Sequence, residues 1–185
     1  LGYFYTARPI RLVARRGLGE LAIFLTFGPL LTLGALFAIS SNTVELFSPE
    51  FYKAIYIGIP FGFLTTNILY INQFPDTNSD AKTGKNHLIV TFGKKNARWG
   101  YLLILIAAFA SSFALIQTIS SDISFFNEYF FIAGNVILFV YGLSAFFNLF
   151  KNYDKRELVH SNLKTIYLQI FYGLFIVLAL NLFFV

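Results

Sequence analysis

The 185-residue sequence has no cysteine and no methionine, and only 12% of its residues are charged, about half of the roughly 25% usual in a soluble domain. Without cysteine there can be no disulfide, no thiolate metal site and no cysteine nucleophile, and the redox compartment cannot be read. So few charges cannot cover a water-facing surface on a chain that is 57% hydrophobic. The same bias excludes disorder, whose signature is low hydrophobicity. Translation begins at Met, so a chain opening Leu1-Gly2-Tyr3 is expected to be processed, truncated or missing its front end. No signal peptide fits the N-terminus, where polar and basic residues occupy the place of an apolar region.

What is present is long uncharged runs. Leu21–Ser40, Ala54–Pro75, Trp99–Ser121, Tyr129–Phe150 and Thr165–Val185 contain 20, 22, 23, 22 and 21 residues. At about 1.5 Å per residue each reaches roughly 30 Å, the thickness of the hydrocarbon core. Helices are required, because a barrel strand needs only about ten residues of alternating polarity. The predicted fold is therefore an all-α, polytopic membrane helix bundle with five transmembrane helices, forming a single membrane domain over residues 1–185 in the lipid bilayer.

The cations sort by side. Arg8, Arg11, Arg15 and Arg16 precede the first span; Lys82, Lys85, Lys94, Lys95 and Arg98 lie between the second and third; Lys151, Lys155, Arg156 and Lys164 lie between the fourth and fifth. That places 13 of the 14 Lys and Arg on one side and Lys53 alone on the other. The positive-inside rule makes the crowded side cytoplasmic, and one helix more or fewer would scramble the partition. The net charge of +5 then reflects topology and anionic ligands. No aromatic-basic groove or motif points to nucleic acid. The links Ser41–Lys53 and Asp122–Glu128 read as simple connectors. Chemistry is expected in the longer cytoplasmic links.

The richest of these is the exit of the second span, Asn72-Gln73-Phe74-Pro75-Asp76-Thr77-Asn78-Ser79-Asp80-Ala81-Lys82-Thr83-Gly84-Lys85. Asn72, Asp76 and Asp80 are spaced by four, which brings side chains to one helix face. Pro75 lacks the donor for an i−4 bond, so the span is expected to break there and a short helix to restart around Asp76. Two carboxylates one turn apart repel unless something positive lies between them. Magnesium suits the gap, being hard, oxygen-seeking and commonly held by one or two carboxylates plus substrate phosphates. Lys82 and Lys85 follow, able to neutralise remaining phosphate charge. The competing reading is a polar loop whose acids and bases pair with one another. Position at the edge of a membrane span favours function.

The run from Asn72 to Lys85 resembles the second aspartate-rich motif, D-x-x-x-D followed by a glycine, of the UbiA-type intramembrane prenyltransferases. At the front, Gly2-Tyr3-Phe4-Tyr5-Thr6 and then Arg16-Gly17-Leu18-Gly19-Glu20 are similar to the dihydroxynaphthoate prenyltransferase branch, which serves menaquinone synthesis. The resemblance implies a nine-helix bundle in which two aspartate-rich motifs surround a magnesium-bound isoprenyl diphosphate. The five spans would match helices five to nine. The first motif, N-D-x-x-D-x-x-x-D, is not in these residues, so the resemblance implies the C-terminal half of a larger domain, with half a metal site, completed by a missing N-terminal half or a partner chain.

The implied activity is magnesium-dependent transfer of a polyprenyl group from an isoprenyl diphosphate to an aromatic acceptor, in menaquinone or related quinone synthesis, at the inner membrane of a bacterium or archaeon. Asp76 and Asp80 are the expected catalytic magnesium ligands, with Asn72 in the same cluster. Lys82 and Lys85 would contact diphosphate, Lys82 serving equally well as a positive-inside lysine. Arg16 would reach diphosphate or an acidic acceptor. Glu20 would meet the acceptor's hydroxyl or act as an interfacial cap. Arg8, Arg11 and Arg15 read as topology signals, His87 as having no role, His160 as a loop residue, and Asp154 and Glu157 as part of a solvated salt-bridged loop. The 24 Phe and 11 Tyr suit either a dry channel for the isoprenyl tail or a lipid-facing and core surface.

Three rivals stand beside this. A transporter would carry polar residues facing a pathway, and here they reduce to Asn67, Asn72, Gln73, Gln117, Asn135, Asn148, Gln169, Asn181 and scattered Ser and Thr. A non-catalytic membrane subunit would differ in whether another segment supplies the first motif. A phosphatidyl-group transferase would show a long D-G-x-x-A-R pattern, which is absent.

Overall fold

A computed structural model describes residues 2–40, 44–119 and 125–184. Leu1, Ser41, Ser121, Asp122 and Val185, at the ends of predicted spans and links, lie outside them. In chain order the helices are α1 (Gly2–Thr6), a 3-10 turn (Leu12–Ala14), α2 (Leu18–Phe27), α3 (Pro29–Ile39), α4 (Pro49–Lys82), α5 (Leu88–Phe92), α6 (Lys94–Ile119), α7 (Phe125–Asn152) and α8 (Leu158–Phe184). Five segments are long and apolar enough to cross a membrane: Leu18–Ile39, Pro49–Lys82, Lys94–Thr118, Asn127–Asn152 and Leu158–Leu182. The bundle is all-α and polytopic, as the uncharged runs predict.

Two details differ from expectation. The first crossing is two helices. At Gly28 the backbone turns to φ −114°, ψ −108°, and Pro29 opens α3, its ring preset for a helix start and its missing N–H no loss there. The second crossing does not break at Pro75: α4 runs unbroken for 34 residues through both Pro60 and Pro75. A proline in a buried helix is tolerated when neighbouring groups supply hydrogen bonds for the disturbed turn. Just beyond Pro75 the Thr77 hydroxyl donates to the Gln73 and Phe74 carbonyls at 3.0 and 2.9 Å, whereas the carbonyl that Pro75 leaves without its usual N–H is that of Ile71. Ser48 caps the other end, its Oγ accepting from Phe51 N at 3.3 Å.

Helix α4 is the centre of the bundle, packing on α2, α3, α5, α6 and α8, while α6, α7 and α8 close on one another. Tyr70, Ile71, Phe74, Tyr101, Leu105, Leu149, Leu168 and Tyr172 are fully enclosed between them. Lipid tails are as apolar as Leu, so packing and interhelical hydrogen bonds hold the helices together. Tyr172 Oη donates to Ser112 Oγ at 2.7 Å, and Ser112 donates to Asn135 Oδ1 at 2.6 Å, tying α8, α6 and α7. Asn67 Nδ2 donates to the Tyr101 carbonyl at 3.2 Å, and Gln169 Nε2 donates to Thr65 Oγ1 at 3.1 Å. Asn67, Asn135 and Gln169, which a transporter would turn toward a pathway, are thus engaged in joining helices.

Between the first crossing and α4 the contact is backbone on backbone. A Cβ on Gly28 would lie 2.7 Å from Gly58 O and 2.8 Å from Gly62 Cα, and one on Gly62 would lie 2.6 Å from Phe24 O. Gly34, one helix on, has nothing within 4 Å. Gly62→Ala is therefore expected to cost about 1–3 kcal/mol of bundle stability by overpacking. Gly34→Ala should be neutral or slightly stabilising. Reversible unfolding of both variants in detergent measures the difference, and equal effects would contradict the close approach.

Candidate active site

The helix that crosses the bundle also builds the site. Because α4 continues past Pro75, Asn72, Asp76 and Asp80 stay in one helical register, and the acids are carried out on its last two turns. Beyond Lys82 the chain reverses at Gly84, whose φ of +72° a side chain would strain. Lys85 N then donates to the Asp80 carbonyl at 2.9 Å. This tight return brings the Lys85 ammonium back to Asp80 Oδ1 at 2.8 Å. His87, 1% exposed, places Nε2 3.3 Å from Asp80 Oδ2. Both Asp80 oxygens thus face a basic group. Asp76, one turn earlier, is exposed, and Asn72 Oδ1 accepts from Asn162 Nδ2 on α8 at 2.7 Å.

The front of the chain docks on this same end. Asn86 N donates to the Ala14 carbonyl at 3.1 Å, joining the α4–α5 loop to the 3-10 turn. Gly17, at φ +74°, opens α2 beside Leu88, and Gly19 packs on the Val13 backbone. The consequence is the placement of Glu20. It lies in the first turn of α2, is 5% exposed, and has both carboxyl oxygens buried with no hydrogen-bond partner. An unpartnered buried carboxyl is costly. Tyr5 on α1 lies within electrostatic reach of it: burial, and then the Glu20 carboxyl, push its phenol above the ordinary range.

Of the sequence-predicted residues, Asp80 and Lys85 are in direct contact, and Asp76 and Asn72 share their helix. Arg16 and Lys82 are exposed and outside the ion pairs of the described residues, which are Lys85–Asp80, His87–Asp80 and Lys94–Asp154. One assignment changes, that of His160, and two more residues gain named partners. His87 is a buried neighbour of Asp80, brought there by the Gly84 reversal. His160 lies in the first turn of α8, its N–H donating to the Glu157 carbonyl at 3.1 Å. Asp154 pairs with Lys94 at 2.7 Å, across to α6. Asn162, which no motif flagged, supports Asn72.

Among the described residues, no three His, Cys, Asp or Glu side chains gather closely enough to hold a metal by themselves. The donor set of Asp76, Asp80 and the Asn72 amide is nevertheless the hard-oxygen kind magnesium takes when substrate phosphates complete its shell.

Comparison with known proteins gives the same direction. The model of the UbiA prenyltransferase family matches residues 1–168. A protein of Dictyostelium discoideum described as UbiA prenyltransferase domain-containing protein 1 is 30% identical over 94% of this chain and 46% of its own length. The 2-carboxy-1,4-naphthoquinone phytyltransferase of Synechocystis is 35% identical over 51% of this chain and 28% of its own. The 1,4-dihydroxy-2-naphthoate octaprenyltransferase of Escherichia coli is 30% identical over 50% of this chain and 28% of its own. The chain therefore spans less than half the length of each of these relatives. No solved structure matches it. With all but its last residues accounted for by one family model, the chain belongs to the UbiA prenyltransferase family.

Proposed function

We propose that the chain contributes the D-x-x-x-D half of a magnesium-dependent site that transfers a polyprenyl group from an isoprenyl diphosphate to an aromatic acceptor of naphthoate type, as in quinone synthesis. The observation that carries this reading is the end of α4, where Asp76 lies open one turn before an Asp80 that holds Lys85 ready at 2.8 Å. The family and the printed activities of the two naphthoate- and naphthoquinone-prenylating relatives support it.

In such a transfer the allylic C–O bond breaks and its electron pair leaves with the diphosphate. A ring carbon of the acceptor then attacks the allylic carbon, and the ring loses the proton at that position. Charge builds on the leaving diphosphate, and cations fixed beside it favour the transition state over the ground state. Lys85 supplies one such cation. An arriving diphosphate offers it a second anion, and the Asp80 oxygen it then shares becomes available beside Asp76. Magnesium bound at Asp76, Asp80 and Asn72 would neutralise the diphosphate as it leaves. Lys82 and Arg16, exposed near this end, would meet the outer phosphate oxygens. Glu20 would accept a hydrogen bond from the acceptor's hydroxyl, which gives its two buried oxygens the partner they lack. The apolar helices exclude the water that would quench an allylic cation.

With a front segment carrying the first aspartate-rich motif supplied, Asp76→Asn is expected to lower kcat by about 100-fold or more while membrane insertion is unchanged. Radiolabelled prenyl transfer together with a membrane-extraction assay checks both, and full activity in the variant would favour a non-catalytic supporting half. Glu20→Gln weakens a charge-assisted hydrogen bond, so the KM for the aromatic acceptor should rise about tenfold with the KM for the diphosphate unmoved. A change in the diphosphate KM alone would remove Glu20 from the acceptor's side.

We place the Asp76–Lys85 end on the cytoplasmic side of the membrane on the cation asymmetry. These 185 residues contain no cysteine, so an introduced thiol is the single one within them. A membrane-impermeant thiol reagent added to intact cells should label Lys53→Cys and leave Lys151→Cys unlabelled until the membrane is opened.

A further inference from the structure

A polar cavity lies at the same end of the bundle, lined by neither Asp80 nor Lys85. It is a cleft of about 450 Å³ lined by Pro75 on α4, Lys94 at the start of α6, Asp154, Lys155 and Arg156 in the α7–α8 loop, and Asn162 on α8. Three cations and one carboxylate line it. Tyr153, Leu158 and Val159 supply apolar wall between them.

The loop that carries the cations is braced at two points. The Arg98 guanidinium stacks over the Phe150 ring at 3.9 Å and the Tyr153 ring at 4.6 Å, and its Nη1 donates to the Phe150 carbonyl at 2.7 Å. One residue on, Asp154 Oδ1 accepts from Lys94 Nζ at 2.7 Å. Fixed on both sides of Tyr153, the loop presents Lys155 and Arg156 to the cleft in a set place. Asn162 Oδ1 is buried there with no partner, its Nδ2 being committed to Asn72. Asp154 neutralises one lysine only, so the cleft keeps an excess of positive charge.

We propose that this cleft binds a phosphate group carried by a lipid, with the headgroup of an anionic phospholipid as its occupant. The chemistry is a cationic rim over apolar wall at the end of membrane-crossing helices, where a phosphodiester and the first carbons of its glycerol find both surfaces at once. The assignment draws on neither Asp76 nor Asp80, although the cleft adjoins their helix through Pro75 and through the Asn162–Asn72 hydrogen bond.

The only tryptophan of the chain reports on the cleft: Trp99 packs on Phe150, ring centroids 5.4 Å apart, on the same ring that carries Arg98. The full chain is reconstituted with phosphatidylglycerol or phosphatidylcholine bearing brominated acyl chains, and quenching of Trp99 gives their relative affinity. Phosphatidylglycerol should be preferred at least fivefold, about the effect of one basic residue at a membrane surface. The double variant Lys155→Gln with Arg156→Gln should bring the preference to within about twofold of none. Lys95→Gln with Lys151→Gln, which removes as many exposed cations from outside the cleft, should leave it nearly intact. Asp154→Asn, which frees Lys94, should raise it, a gain that misfolding cannot mimic. An equal loss in both double variants would make the preference a diffuse surface effect and overturn the site. So would an unchanged preference in the Lys155 and Arg156 variant or an unchanged or lower one in Asp154→Asn. Relief of quenching by inorganic pyrophosphate alone would assign the cleft to a soluble anion and overturn the lipid.

Discussion

The arrangement depends on one mismatch of length. Helix α4 has 34 residues, roughly 51 Å of helix at 1.5 Å per residue, against a hydrocarbon core of about 30 Å. An unbroken helix satisfies its own backbone through the bilayer, and the surplus length must emerge from it. The acids ride on that surplus. Asp76 and Asp80 reach polar surroundings without a loop to position them, and their spacing is as rigid as the helix that carries them. Had Pro75 ended the crossing, the two carboxylates would sit on a separate short helix whose angle to the bundle nothing on α4 would fix.

A second constraint is the treatment of polar side chains inside the bundle. Ser112, Asn135 and Tyr172 satisfy one another in a line across three helices, and Tyr101 shares a hydrogen bond with Thr165 at 2.8 Å. Such pairs hold apolar helices in one register where hydrophobic burial cannot distinguish protein from lipid. Glu20 and His87 depart from this pattern. Both are buried, and among the described residues neither makes a side-chain hydrogen bond.

The crossings and their crowded side were legible because hydrocarbon thickness sets a minimum run length and charge cannot be hidden inside it. The acid pair was legible from spacing alone, since i and i+4 share a face whatever surrounds them. What was not legible came from contacts distant in sequence or from local compensation. Pro75 reads as a break in composition, yet α4 passes through it as it passes through Pro60. Gly28-Pro29 leaves an uncharged run uninterrupted in composition while dividing the helix in space. His87 has no spacing relation to Asp80; only the reversal at Gly84 and the docking of Asn86 on Ala14 bring it there. Asp154 has basic neighbours on either side in the sequence and takes Lys94 from another helix, a choice that depends on how α6 and α7 pack.

At Gly28, Gly58 and Gly62 the first crossing rests directly on the main chain of α4, with the Phe24 ring and the Thr32 hydroxyl beside them. Glu20 lies eight residues along the arm from Gly28, roughly 12 Å away, so a swing of about 10° there would carry it roughly 2 Å relative to α4. Phe24, whose ring packs on Phe63 at 4.5 Å, and Thr32 lie against the same glycines and would have to follow any such swing. The distance from the Glu20 carboxyl to α4 is thus set at these three glycines.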